Sequence, residues 1–382
     1  MFDVTRSAFS LTNAVIVSPD GVYHGGLSVD GGVIQELEPE RGALDFGGDF
    51  LVPGAVDLHT DHVETHLHPR SGVTWSFRDA LIAHDAVVIS GGTTTVFDSL
   101  CVGASLRRPE RRQLLAPLIA ALEEGARDGL YRAEHLLHLR CEVSDPKTPE
   151  LIHRVLGGPL VKIASIMDHT PGDRQCVDID DWTQRLANDL GLSQAEAVAR
   201  REELVARSAE FGDQVRADIA SALKIRGLPF MTHDDRTPEH VAQSAREGAA
   251  LSEFPTTLEA AQAARDAGQT IVAGAPNYLR GGSQSGNVSV KALLQASLVD
   301  VLASDYVPHA PMTAAFAIAE DASLSVSLED AIAMVTETPA RAAGLTDRGC
   351  IAPGYRADFV RLRRENGKSQ IIGVWRAGVR VF

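Results

Sequence analysis

Eight short apolar runs rich in β-branched residues recur along the middle of the chain, separated by Ala-, Glu- and Arg-rich stretches of helical period. The runs span residues 56–59, 93–98, 136–143, 161–168, 230–234, 251–254, 270–273 and 301–305. This alternation is typical of βα units around a parallel sheet, and eight units predict a (β/α)8 TIM barrel, an α/β fold. In such a barrel the chemistry lies at the C-terminal ends of the strands.

The two ends of the chain have a different texture. The first fifty residues alternate apolar and polar positions and carry hairpin pairs such as Asp20-Gly21, and the last thirty return to this pattern with a turn at Asn366-Gly367. We therefore expect one β domain assembled from both termini.

One connection is longer than a barrel requires. Residues 184–226 are rich in Ala, Glu and Arg and are too long for a single crossover helix. They predict an inserted helical pair, either a solvated hairpin or a lid or interface.

Composition excludes several classes of partner. The 36 Lys and Arg against 51 Asp and Glu give a formal net charge of −15, so duplex nucleic acid and anionic membranes are repelled on average. There is no apolar run of about 18 residues and no recognisable leader, so we expect a cytoplasmic protein. The four cysteines form no CxxC pair and are interpreted as core thiols rather than a disulfide framework.

The first barrel strand ends in a His-x-Asp pair. His59 and Asp61 are two residues apart and point to the same side of a strand, so they can bind one metal ion. Imidazole and carboxylate ligands suit Zn²⁺, Mn²⁺ or Fe²⁺. The alternative is a histidine with an incidental acid in a polar loop. Nearby, Glu64, His66 and His68 add ligands if the strand end curls, but they could equally be surface residues.

Other strand ends supply further ligands. Four more candidates stand where runs terminate: Glu142, His169, His233 and Asp305. Any one of them alone could be a buried polar group with an ordinary hydrogen-bond partner. Their convergence with the His-x-Asp pair instead favours a metal centre. The centre would hold one or two divalent ions, and we expect two. We interpret Glu142 as a bridging ligand.

Asp305 has a second predicted role. As the acid of the last strand it could accept the proton of the nucleophilic water, as a general base. Lys162 would be a rival bridge if carbamylated, but it lies at the start of its run, the wrong end for the site.

Three loops have the composition of anion sites. Arg174 follows the fourth run, and residues 274–287 form a glycine-rich loop that contains Asn277, Arg280 and Ser283. Backbone amides, hydroxyls and guanidinium groups of this kind bind phosphate oxygens. Arg70 could reach over the first strand. The alternative for each is a flexible surface loop. We predict a phosphorylated small-molecule substrate and leave a homo-oligomer open.

The chain resembles the PhnM proteins of phosphonate metabolism, a family of the amidohydrolase superfamily. The resemblance rests on HTDHVE, AHDAVVISGGTTTVFDSLCVG, HLRCE, SIMDHTPGDRQ, THDD, GAPNYLRGGSQSGN, ASDYVP and the tail TETPARAAGLTDRGCIAPGYRADFVRL. Most amidohydrolases carry His-x-His on the first strand, whereas the His-x-Asp of this chain is the PhnM form. His62 and Asp173 depart from the family pattern, in which Asn and Gln are frequent.

This resemblance implies a fold and a reaction. The fold is a metal-dependent amidohydrolase barrel over residues 54–344, with the helical insertion near 184–226, and a small β-sandwich domain from residues 1–53 and 345–382. The reaction is hydrolysis of α-D-ribose 1-methylphosphonate 5-triphosphate to the 5-phosphate and diphosphate, in the carbon–phosphorus lyase route. Metals and arginines would neutralise the charge that develops on the diphosphate.

Two rival functions stay open. The first is an amidohydrolase or deaminase acting on a cyclic amide or aminated base, which would not need the loop at 274–287. The second is a non-catalytic scaffold that kept the barrel and lost its site, although all six candidate ligands are present in the sequence.

Overall fold

A computed structural model describes residues 8–37, 44–70, 72–104, 110–174, 178–283 and 286–382. The described strands are β1 (Phe9–Ser18), β2 (Gly21–Asp30), β3 (Val33–Leu37), β4 (Leu44–Asp45), β5 (Phe50–Pro53), β6 (Ala55–Thr60), β7 (Thr93–Val102), β8 (Glu134–Glu142), β9 (Val161–Met167), β10 (Phe230–His233), β11 (Leu251–Glu253), β12 (Thr270–Gly274), β13 (Val301–Ala303), β14 (Phe359–Glu365), β15 (Lys368–Arg376) and β16 (Val379–Arg380).

The helices lie mainly between the central strands. They are α1 (Val63–Leu67), α2 (Phe77–Ser90), α3 (Arg111–Arg127), α4 (Thr148–Val155), α5 (Ile179–Leu190), α6 (Gln194–Arg226), α7 (Pro238–Glu247), α8 (Leu258–Asp266), α9 (Ala275–Arg280), α10 (Val290–Gln295), α11 (Ala310–Glu320), α12 (Leu328–Ala333) and α13 (Glu337–Ala342). Across the described ranges, no helix is long and apolar enough to cross a membrane.

Strands β6 to β13 form a parallel barrel in chain order. The barrel is nearly closed by a parallel bridge between Thr60, at the end of β6, and Asp305, just after β13. All eight strands lie at the predicted runs, so the predicted (β/α)8 barrel is confirmed. Its interior is filled by side chains such as Leu58, Phe97 and Met231.

The remaining strands form a separate mixed sheet in the order β16-β15-β14-β5-β1-β2-β3, with β4 beside β1. Strand β14 from the C-terminal end pairs antiparallel with β5, so both ends of the chain build this sheet, as predicted. Its core includes Phe359 and Trp375, whose stacked rings have centroids 5.2 Å apart. The bounds predicted for the two domains stay a prediction.

The stretch predicted as a helical pair contains α5 and α6, which pack on each other. Gly191 ends α5 in the left-handed conformation, and Ser193 begins α6 with a capping box to Glu196. The C-terminal half of α6 buries Ile219 and Leu223 in the core beneath β9, so this helix also serves as a barrel crossover. The role of the pair as a lid or interface stays a prediction.

The cysteines of the described ranges are core residues. Cys101, Cys141 and Cys350 are buried free thiols. Cys176 lies outside the described residues. Lys162 is exposed at the start of β9, away from the C-terminal strand ends.

Candidate metal centre

His59 lies near the end of β6, with its side chain buried. Its Nδ1 atom is 2.6 Å from Oε1 of Glu253. Because a carboxylate only accepts hydrogen bonds, Nδ1 carries the proton, and Nε2 presents a lone pair. That Nε2 is buried and has no hydrogen-bond partner among the described residues. A buried imidazole nitrogen in this state is what a metal ligand requires.

His233, the last residue of β10, contacts the same carboxylate. Its Nδ1 lies 2.6 Å from Oε2 of Glu253, and its ring stacks on His59 with centroids 6.0 Å apart. Burial alone would raise the pKa of Glu253, but the surrounding histidines outweigh burial and hold this pKa well below its usual range. Glu253 therefore orients both imidazoles. Sequence reasoning missed it, although an acid at the end of the sixth predicted strand was the available signal.

Asp61 and Asp305 meet where the barrel closes. The Asp61 amide donates to the Asp305 carbonyl (3.2 Å), and the Asp305 amide donates to the His59 carbonyl (2.9 Å). Ligand atoms of His59, Asp61 and Asp305 lie within 4.8 Å of one another. The predicted His-x-Asp pair and the predicted last-strand acid are thus brought together.

A second group of ligand atoms lies beside the first. It contains His169, His233 and Asp234, again within 4.8 Å of one another. Asp234 was not singled out from the sequence. Asp234 and Asp305 have φ values of 57° and 54°, in the left-handed region that non-glycine residues rarely occupy. Backbone strain of this kind is concentrated at functional sites.

Glu142 ends β8 and was predicted to bridge two metals. Its Oε2 lies 2.7 Å from Nδ1 of His169, and its Oε1 accepts from the Ser144 hydroxyl at 2.8 Å. Burial would raise its pKa, but His169 and Ser144 lower it to about 2. Glu142 belongs to none of the groups of close ligand atoms in the described part of the chain. It orients His169 here, and its role as a bridge stays a prediction.

The carboxyl group of Asp305 has a different electrostatic environment from that of Glu142. Burial raises the pKa of Asp305, and the neighbouring Asp61 raises it further, while His59 opposes both. A carboxyl group with a raised pKa is a better proton acceptor than an ordinary aspartate.

Three predicted substrate ligands lie near Asp305. Asn277 and Ser283 line a cavity together with Asp234 and Asp305. Arg280 is exposed, and its Nη1 donates to the hydroxyl of Tyr306 at 2.9 Å. Tyr306 directly follows Asp305 in the chain. Gln284 and Ser285 of the same loop lie outside the described residues.

Arg174 and Arg70 are not brought to this cavity. Arg174 is buried, and its Nη1 forms an ion pair with Asp235. It lines a different cavity, in which Asp173 lies 3.2 Å from Nε2 of His240. Arg70 is exposed after α1. Their assignment to substrate stays a prediction.

A buried arginine that sequence reasoning did not nominate stands beside the centre. Arg140 on β8 places Nη1 3.5 Å from Oδ2 of Asp61. Its Nε is buried without a hydrogen-bond partner among the described residues. A desolvated guanidinium in this position can bind an anionic substrate group.

The donor set fits divalent metal ions. Imidazole nitrogens and carboxylate oxygens converge, and Nε2 of His59 has no hydrogen-bond partner among the described residues. Such a mixed set suits Zn²⁺, Mn²⁺ and Fe²⁺ alike.

The same fold occurs in solved structures. N-acetylglucosamine-6-phosphate deacetylase from Pasteurella multocida aligns with a TM-score of 0.61 at 13% identity, over 98% of this chain and 99% of that one. A 5-methylcytosine deaminase from Klebsiella pneumoniae, liganded with phosphonocytosine, aligns with a TM-score of 0.63 at 13% identity, over 98% of each chain. At these identities the likeness shows the fold alone.

Sequence comparison is more specific. Residues 193–382 match the amidohydrolase family. The alpha-D-ribose 1-methylphosphonate 5-triphosphate diphosphatase of Escherichia coli K12 is 38% identical over 376 residues, which cover 97% of this chain and 100% of that protein. With the barrel, the His-x-Asp strand and the convergent ligands, this match shows that the chain is a hydrolase of the amidohydrolase superfamily and belongs to its PhnM family.

Proposed function

We propose that the chain hydrolyses α-D-ribose 1-methylphosphonate 5-triphosphate to α-D-ribose 1-methylphosphonate 5-phosphate and diphosphate. The observation that carries this proposal is the full-length match, at 38% identity, to the Escherichia coli enzyme of that name. The cavity next to Asp305 supports it, because its lining combines carboxylates with the amide of Asn277 and the hydroxyl of Ser283.

The two groups of close ligand atoms would hold the divalent ions. These residues are His59, Asp61, Asp305, His169, His233 and Asp234. When bound, ions in such a site activate water and neutralise charge on phosphoryl oxygens.

Asp305 is assigned the proton transfer. It is mostly buried, its pKa is raised, and it borders the cavity that would receive the triphosphate. A positioned carboxylate can take a proton from the attacking water as the bond to phosphorus forms.

The negative charge of the triphosphate would be neutralised by individual arginines, because the chain as a whole is also negatively charged. At a net charge of −15, the protein repels polyanions unless local cations oppose this. Arg140 beside Asp61 and Arg280 beside Tyr306 are placed to do so at the centre and at its rim. Charge developing on the diphosphate leaving group would then meet preorganised donors.

The experiment is phosphorus NMR of purified protein supplied with Mn²⁺ or Zn²⁺. One tube contains ribose 1-methylphosphonate 5-triphosphate, and a parallel tube contains ATP. Diphosphate released from the first, with little from the second, is the expected result. No release by protein with bound metal would contradict the proposal and direct assays to cyclic amides and aminated bases. No release and no bound metal would favour a scaffold.

A further inference from the structure

Three histidines form a cluster outside the candidate metal centre. His62 precedes α1, His66 lies in α1, and His84 lies in the facing helix α2. A ligand nitrogen of each ring lies within 4.8 Å of the others. The ring centroids are 4.9 Å apart for His62 and His66, 5.9 Å for His62 and His84, and 6.1 Å for His66 and His84.

Each of these rings has a buried nitrogen that lacks a hydrogen-bond partner among the described residues. The atoms are Nδ1 of His62, Nε2 of His66 and Nδ1 of His84. His84 is fully buried. Most buried polar atoms in folded proteins are paired, so three unpaired imidazole nitrogens in one cluster require an explanation.

The opposite nitrogen of His84 is anchored as in metal sites. Its Nε2 lies 2.7 Å from Oδ1 of Asp98, and Oδ2 of Asp98 lies 2.7 Å from Nδ1 of His135. A carboxylate that holds one nitrogen of a histidine leaves the other as an oriented lone pair, the usual arrangement behind a metal-ligating imidazole.

We propose that His62, His66 and His84 bind a divalent transition-metal ion of the zinc type, as a site separate from the candidate metal centre. Three imidazoles with water in the fourth position are an established coordination set for Zn²⁺. The ion would join α1 to α2 and fix the segment that begins immediately after Asp61. This inference does not depend on the proposed function.

The first test counts bound zinc. Chelator-stripped protein is loaded with Zn²⁺ alone, desalted and analysed by plasma mass spectrometry. Wild type and a His68→Gln control, altered on the same segment but outside the cluster, should retain one more equivalent than the His62→Asn/His66→Gln variant. Equal retention by all three proteins would overturn the proposal. Circular dichroism of the metal-free proteins shows whether the variant folds.

The second test needs no variant. Crystals of the wild-type protein soaked in Zn²⁺ are measured at the zinc absorption edge. An anomalous peak among His62, His66 and His84 is expected, in addition to any peak at the candidate metal centre. Peaks confined to the candidate metal centre would overturn the proposal, whatever the protein hydrolyses.

Discussion

The carboxylate of Glu253 lies 2.6 Å from Nδ1 of His59, although 194 residues separate the two in the chain. The other oxygen of the same carboxylate lies 2.6 Å from Nδ1 of His233. One side chain at the end of β11 therefore sets the tautomer of two candidate ligands, on β6 and β10. A carboxylate can do this because both of its oxygens accept hydrogen bonds.

Glu253→Gln should therefore weaken metal binding. The amide offers one acceptor and one donor, so only one histidine can keep its proton on Nδ1. We expect metal affinity to fall by about 10- to 100-fold, as for other residues that orient ligands, measured by titration of stripped protein with Zn²⁺. Glu259→Gln, on the exposed surface of α8, is the control. Unchanged affinity in Glu253→Gln would exclude this role.

Asp305→Asn tests the proton acceptor. Asparagine tolerates the left-handed backbone found at this position, so the fold should persist. We expect kcat to fall by at least about 100-fold, because a positioned general base contributes about 10²- to 10⁴-fold. Diphosphate release measures the rate, and circular dichroism checks the fold. A variant with a rate near wild type would remove Asp305 from the mechanism.

Arg280→Gln tests recognition of the triphosphate. The guanidinium is exposed at the rim of the cavity and donates to Tyr306, so its removal should spare the fold. A hydrogen bond to a charged group contributes about 1.5–3 kcal/mol, so KM should rise about tenfold or more. Arg226→Gln, exposed at the C-terminal end of α6, should leave KM unchanged. The same KM in both variants would place Arg280 outside the substrate site.

Arg174 was assigned to substrate from its loop, but its buried ion pair with Asp235 predicts a different result. Arg174→Met should lower the free energy of unfolding by about 3–5 kcal/mol, since it leaves a buried carboxylate without its cation. Urea unfolding measures this loss. The Arg174→Met/Asp235→Asn double variant should recover most of it. A normal unfolding curve with a raised KM would instead support the assignment to substrate.

The contrast between these arginines shows what the sequence could and could not predict. Apolar runs identified all eight barrel strands because burial of a parallel strand imposes a local composition. The same local reasoning nominated the polar residues at the ends of these runs, which include His59, His169, His233 and Asp305. Local patterns do not say which distant partner a side chain meets. The Asp235 that pairs with Arg174 is 61 residues away.

The positions of the barrel strands were predicted more accurately than their ends. The second run was predicted to end at Asp98, but β7 continues to Val102. Asp98 stays inside the barrel wall because His84 and His135 satisfy its carboxylate. Glu253 was not predicted for a related reason. It ends a strand of only three residues, which is too short to show a periodic pattern. The sequence therefore does not tell whether this acid binds a metal or orients the residues that do.

The sheet built from both termini provides a pH-dependent prediction. Asp49 accepts from Nε of Arg361 at 2.6 Å and from Nε of Arg363 at 2.9 Å, which joins the N-terminal part of the sheet to β14. Burial would raise the pKa of Asp49, but the two arginines outweigh burial and lower it below 3.8. A folded-state pKa below the unfolded value stabilises the protein above pH 3.8, and this contribution is lost as the pH falls through the folded value.

Asp49→Asn should remove this contribution, because the amide carries no charge. At pH 7 we expect the free energy of unfolding to fall by about 1–3 kcal/mol, the usual cost of breaking a buried charged hydrogen bond. The difference from wild type should shrink as the pH falls below 3.8, since the wild-type carboxylate is then being protonated. Urea unfolding at several pH values measures it, with Asp20→Asn in the exposed turn before β2 as control. A constant difference between Asp49→Asn and wild type at every pH would mean that the arginines stabilise this junction through packing rather than charge.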